Sequence, residues 1–184
     1  MLTTANAIPG WSAIPLLGDT HGNMLIFYNA VSLGGAMVAL DDNNNTSPKP
    51  IQGNYSVYLF GASSYAPPAE QHSASIGQTA TIPITAESLT FLAGDLFGTL
   101  QVTFNGLPIN YVVTGSSANY NVYAADISAY AGQYGQLLFT APVNTRGILD
   151  NIQFSSSPVP EPGVSALTAL GTVLLGCRRR WKRL

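Results

Sequence analysis

The chain has 184 residues and few charges, seven Lys and Arg against nine Asp and Glu. Residues 1–157 carry Lys49 and Arg146 against eight acids, a net charge of −6, whereas five of the seven cations lie in residues 178–184. The body is therefore no nucleic-acid binder, because phosphate neutralisation needs clustered Lys and Arg, and with the only cysteine at Cys177 it has no disulfide either.

Short runs rich in Val, Ile, Tyr, Phe and Thr recur between Gly, Asn, Pro and Ser clusters, and no stretch before residue 158 keeps a helical period. The runs predict strands at 24–28, 36–40, 54–60, 80–84, 88–93, 100–104, 108–113, 120–125, 135–140 and 149–154. An antiparallel β-sandwich over residues 1–157 accommodates them. In 54–60 apolar residues fall on both faces, so Tyr55 and Tyr58 are expected to be packed. At Asn105-Gly106 the preferred pair for a type I′ turn predicts a hairpin, because both central residues need positive φ. Its register sets Phe104 opposite Leu107, Val102 opposite Ile109 and Leu100 opposite Tyr111, an apolar face for the core. Pro108 then falls at a non-hydrogen-bonded position, on a strand whose outer side lacks a close partner.

The C-terminus reads as three consecutive environments. Prolines on both sides of Glu161 keep 158–163 extended and exposed. Residues 164–177 contain no charge and are apolar on every side, as a helix in lipid would be. Fourteen residues span only about 21 Å against a hydrocarbon core of about 30 Å, a marginal transmembrane helix that needs Gly163 and the snorkelling stems of the arginines. Arg178, Arg179, Arg180, Lys182 and Arg183 follow in the 178–184 tail, which the positive-inside rule places in the cytoplasm with the body outside.

From Val159-Pro160-Glu161-Pro162 onward the chain resembles the PEP-CTERM sorting signal, the C-terminal tag of exported proteins in many Gram-negative bacteria. Motif, short apolar helix and basic cluster stand in the order that signal requires. The resemblance implies recognition by an exosortase, a membrane-embedded transpeptidase-like enzyme that processes the tag near Pro160-Glu161-Pro162. These residues would be substrate, not catalyst. A plain membrane anchor is the alternative, and it leaves the proline spacer without a role. The tag implies a protein anchored first in the inner membrane, then released to the cell envelope or the extracellular polysaccharide. Export needs a signal peptide, yet residues 1–6 have neither a basic nor an apolar run, so a signal peptide and a first strand are expected upstream of Met1.

Two further stretches, 125–139 with its Ala125-Asp126-Ile127-Ser128 opening and the closing Leu149-Asp150-Asn151-Ile152, resemble the final strands of galactose-binding-like jelly rolls. That resemblance covers residues 8–156 and implies a jelly-roll order of strands. It would place Gly10-Trp11 near the second strand.

Catalytic residues are not found by motif. His21 and His72 are isolated, no Cys partners them for zinc, and no nucleophile-elbow Gly-x-Ser-x-Gly occurs. Asp41-Asp42 followed by Asn43, Asn44 and Asn45 offers the oxygens calcium prefers. The spacing is not that of an EF-hand, and Asp and Asn also build ordinary loops, which is the preferred reading. Asp150 is a second calcium candidate, preferred as a strand-end hydrogen-bonding residue. Aromatic rings grip sugars by their faces, and Trp11, Tyr65, Tyr120, Tyr123, Tyr130 and Tyr134 are the candidates by loop or strand-end position. The favoured reading is an exported, non-enzymatic β-sandwich with glycan binding. The alternatives are a secreted glycan or ester hydrolase and a structural or adhesive surface subunit.

Overall fold

Alternation along β14 (Tyr134–Ala141) shows how the strands arise: Gly135, Leu137, Phe139 and Ala141 are buried while Tyr134 and Gln136 are exposed, the period of two that a half-buried sheet imposes. The computed structural model describes residues 2–3, 7–14, 25–29, 36–44, 49–63 and 71–159. Its other strands are β1 (Leu2–Thr3), β2 (Ser12–Ile14), β3 (Leu25–Tyr28), β4 (Met37–Asp42), β5 (Tyr55–Phe60), β6 (Ala62–Ser63), β7 (Gln71–His72), β8 (Ala74–Thr81), β9 (Ser88–Phe97), β10 (Gln101–Phe104), β11 (Leu107–Pro108), β12 (Val112–Ser116), β13 (Asn121–Asp126) and β15 (Arg146–Ser155). A 3-10 turn, Ser128–Tyr130, precedes β14.

Among the described residues these strands form an eight-stranded sheet, ordered β1-β3-β4-β5-β15-β9-β13-β12, and a five-stranded sheet, ordered β11-β10-β14-β8-β2. β6 and β7 pair as a separate ribbon. Leu59, Leu89, Phe91, Tyr123 and Leu149 of the larger sheet share one core with Ala13, Ile76, Val102, Phe104, Leu137 and Phe139 of the smaller. The fold is thus all-β and sandwich-like. Phe91 sits at the junction: its ring meets Phe139 edge-on at 5.2 Å and stacks on Tyr123 at 5.2 Å. A smaller cluster of Met37, Ala39, Tyr58 and Ile148 lies apart from this core and is covered by Ile51.

The hairpin forms as its turn residues require. Asn105 and Gly106 both have positive φ, 50° and 78°, and the register pairs Thr103 with Pro108 and Phe104 with Leu107. Ile109 N donates to Val102 O at 2.8 Å, and Tyr111 reaches Leu100 through its hydroxyl, which donates to the Leu100 carbonyl at 2.7 Å. β11, with Pro108, is the outermost strand of its sheet. The apolar face is incomplete, however, because Leu107 at that edge is 58% exposed.

Other expectations are corrected. The sheets are not wholly antiparallel, since β3 and β4 run parallel, Phe27 opposite Ala39 and Tyr28 opposite Leu40. The strand expected at 80–84 lies earlier, as β8. Pro83 cannot donate to a ladder, and the chain turns there, with Ala86 N bonding Pro83 O at 2.9 Å. The run 108–113 is not one strand: after Ile109 the chain leaves the smaller sheet and enters the larger as β12. Tyr58 is packed as expected, but Tyr55 is 52% exposed. The processing residues Pro160, Glu161 and Pro162, the apolar segment 164–177 and the basic cluster 178–184 lie outside the described residues, which end at half-buried Val159. Tyr65 and His21 also lie outside them.

Candidate cleft between the ends of β5 and β15

β5 and β15 pair from Arg146 opposite Phe60 to Leu149 opposite Val57, where the ladder ends. Against β9, β15 shifts register between Asp150 and Gln153, with Asn151 in the left-handed region at φ 47°. An extra residue in one strand bends it. The strands part beyond Leu149, and a cleft of about 280 Å³ opens there, at the small end of the range for small-molecule sites.

Its lining joins distant parts of the chain: Ile8, Pro9 and Trp11, then Leu40, Tyr55, Ser56 and Val57, then Ile76, then Leu149, Asp150, Asn151 and Ile152. Leu149 and Ile76 are buried, whereas Tyr55, Asn151 and Pro9 are exposed at the mouth. Trp11 is placed by a tight turn in which its N–H donates to Ile8 O at 2.9 Å, with Gly10 at φ 82°. β2 then ties the segment to β8, Ser12 opposite Gly77. The half-buried indole rests on Phe139, ring centres 6.0 Å apart.

Asp150 lies where the β5–β15 ladder ends, and its carboxylate turns with Ser56 to the face of the larger sheet that carries Tyr58 and Ile148. Its Oδ2 accepts Ser56 Oγ at 2.7 Å and Gln52 N at 3.2 Å, and its Oδ1 accepts Asn151 N at 2.7 Å. Ser56 in turn accepts Ile51 N at 2.9 Å. Asn151 Oδ1 accepts Gln153 Nε2. Asp41, wholly buried, pairs with Ser56 across the β4–β5 ladder. Two of the carboxylates singled out in the sequence therefore flank one serine.

Asp42 serves a different purpose. Tyr28 hydroxyl donates to its Oδ2, Asn29 Nδ2 and Asn44 N donate to its Oδ1, both at 2.8 Å, and Asn44 Nδ2 donates to Oδ2 at 2.8 Å. Asn29 Oδ1 also accepts Asp42 N at 2.9 Å, closing a two-way bond between the loop after β3 and the end of β4. The Tyr28 hydroxyl, aided by the Asn29 and Asn44 donors, holds the carboxyl at about 2, and the same bond pushes Tyr28 up to about 12. Four donors on one carboxylate are the loop former's role. Calcium would have to displace them to gather its six to eight oxygens, and among the described residues no three His, Cys, Asp or Glu group together.

The aromatic candidates scatter. Trp11 lines the cleft, as does Tyr55, which its place in an apolar run hid. Tyr123 is a core residue stacked on Phe91 and edge-on to Tyr111 at 5.3 Å. Tyr130 packs on Phe104 at 5.1 Å. Half-buried Tyr120 ends a turn whose carbonyl accepts Ser117 N at 2.8 Å, and Tyr134 is 70% exposed on β14. None of these four lines the cleft. Asn151 carried a sequence signal, since Asn is depleted in strands and takes the left-handed conformation more readily than most residues. No family model and no curated protein matches the chain.

Proposed function

We propose that this is an exported, non-enzymatic β-sandwich of the cell envelope or extracellular polysaccharide, jelly-roll-like in its strand order, that binds saccharide in the cleft. The observation that carries the binding reading is the meeting of two aromatic residues, Trp11 and Tyr55, from distant parts of the chain around one concavity. Ring faces stack on the apolar face of a pyranose. In this reading the C-terminal tag delivers the domain: the helix at 164–177 holds it in the inner membrane, and an exosortase cuts near Pro160-Glu161-Pro162.

A glycan array with the full chain tests the binding. Trp11→Ala is expected to lower affinity for every retained saccharide by about tenfold or more, since a stacked ring contributes over 1 kcal/mol. Binding to no saccharide at all would remove the proposal.

A structural or adhesive subunit is the second reading, and one observation favours it. Among the described residues β12 ends the larger sheet, carries no charge and exposes Val112 and Val113, and such an edge is a template for another strand. Oligomers that grow with concentration and vanish when Val113→Lys charges the edge would support it.

A further inference from the structure

We infer that the saccharide site runs past the cleft onto Tyr28, a second aromatic platform beside Tyr55, so that its ligand is an oligosaccharide of two or more rings rather than a single sugar. The inference rests on the reading of the cleft as a saccharide site and adds the size of its ligand.

Strand register puts the two tyrosines on one face. β3 and β4 pair with Tyr28 opposite Leu40, while β4 and β5 pair with Leu40 opposite Val57 and Asp42 opposite Tyr55. Residues directly opposite one another share a face of the sheet, as do residues two apart in a strand. Tyr28, Leu40, Asp42, Tyr55 and Val57 therefore all lie on the face that bounds the cleft, where Leu40, Tyr55 and Val57 form one wall. Tyr28 continues that wall on the strand beyond Leu40. β3 and β5 stand two strand spacings apart, about 10 Å. That separation suits successive rings of one sugar chain and exceeds what a single pyranose covers. Both side chains are open to a ligand, Tyr28 being 44% and Tyr55 52% exposed.

Tyr28 is also held in place before a ligand arrives. Its hydroxyl donates to Asp42 Oδ2, and Asp42 is itself fixed by Asn29 and Asn44. The acidity of that hydroxyl is weakened first by the bond to Asp42, then by partial burial and by the charges of Asp42 and Tyr55, so the two phenol oxygens are neighbours. A ring held in this way loses little freedom on binding, and ordering a mobile side chain is a recurrent cost of association. The four donors on Asp42 fill the roughly four lone-pair sites of a carboxylate. The acid is thus occupied with positioning. Tyr28 offers the ligand its ring face for stacking and the free lone pair of its oxygen for a sugar hydroxyl.

Isothermal titration of the full chain with glucose, galactose and mannose, each beside its β-1,4-linked disaccharide and trisaccharide, measures the step from one ring to two. Wild type is expected to bind the best disaccharide at least about fivefold more tightly than its monosaccharide, a gain readable without any substitution. Tyr28→Ala should abolish that gain. Tyr28→Phe keeps the ring face, loses only the bond to Asp42 and should keep most of it. Tyr134→Ala, which removes an exposed tyrosine from the smaller sheet, should leave it unchanged. No gain from the second ring, a gain that survives Tyr28→Ala, or one lost as fully in Tyr28→Phe would overturn the inference and leave the saccharide site standing. Silence toward every sugar of the series would instead overturn the site, and the inference with it.

Discussion

Four donors converge on the Asp42 carboxylate, and their effect on stability can be read through pH. Because the folded carboxyl titrates at about 2 rather than 3.8, the unfolded chain binds the proton first as pH falls. The contribution of this group is therefore complete above pH 3.8 and lost as pH drops through 2. Tyr28 works from the other side. Its hydroxyl titrates at about 12 rather than 10, so its contribution is complete below pH 10 and lost as pH climbs through 12. Tyr28→Phe should consequently lower the urea midpoint by a constant amount between pH 4 and pH 10, and the difference from wild type should shrink toward pH 2 and pH 12. A difference that keeps its size at both extremes would show that only packing had been removed. The sequence announced Asp42 as part of an oxygen-rich run but was silent on Tyr28 and Asn29, because the parallel pairing of β3 with β4 brings them together. Parallel neighbours need a crossover, and local pattern does not reveal which strand the crossover returns to.

The hairpin β10–β11 was legible because its specification is local: two residues able to take positive φ, with alternating residues on either side. What the sequence did not disclose is that Asn105 also fastens the turn to β14. Its N–H donates to Gln136 O at 2.9 Å, and its Oδ1 accepts Gln136 N at 2.9 Å. That side chain fills the space over Gly135, where an added Cβ would lie 2.3 Å from Asn105 Oδ1. The two residues are therefore coupled. Gly106→Ala meets nothing within 4 Å and should cost only the left-handed penalty, about 1–2 kcal/mol. Asn105→Gly keeps the backbone conformation and gives up the side-chain bond, about 0.5–1.5 kcal/mol. Gly135→Ala must expel the Asn105 amide, so alone it should cost at least as much, yet in the Asn105→Gly background it should cost nearly nothing. A double-mutant cycle from urea unfolding measures this coupling, and strict additivity would refute the packing argument. β8 was misplaced for the opposite reason. Its Ala, Ser, Gly and Gln residues carry little strand propensity, and it is a strand because it pairs with all eight residues of β14.

At the scale of the whole molecule, the last strand of the body lies at the centre of the larger sheet. β15 pairs with β5 on one side and β9 on the other, so the sheet cannot close until the chain has been made through residue 155. Alternating strand pattern gave the all-β class, but not this order, and not the cleft, whose walls come from residues 8–11 and 149–152 at opposite ends of the body. The body's contacts run a little past β15: Glu87 N donates to Ser155 O at 2.8 Å, and Ser88 Oγ donates to Ser157 O at 2.7 Å. The proline spacer starts at the next residue. A cut in the spacer therefore spares these contacts, whereas a cut before β15 removes buried Ile148 and Leu149 and leaves two strands of the sheet without their common neighbour. A chain ending at Ser157 is expected to unfold cooperatively with the stability of the body in the full chain, within about 0.5 kcal/mol. A chain ending at Thr145 should show no cooperative transition and none of the near-ultraviolet dichroism of the packed Phe91, Tyr111 and Tyr123 rings. If the shorter chain folds, the central place of β15 is not what completes the sheet. If the longer one fails, the body depends on residues beyond Ser157, and processing near Pro160-Glu161-Pro162 could not release a folded domain.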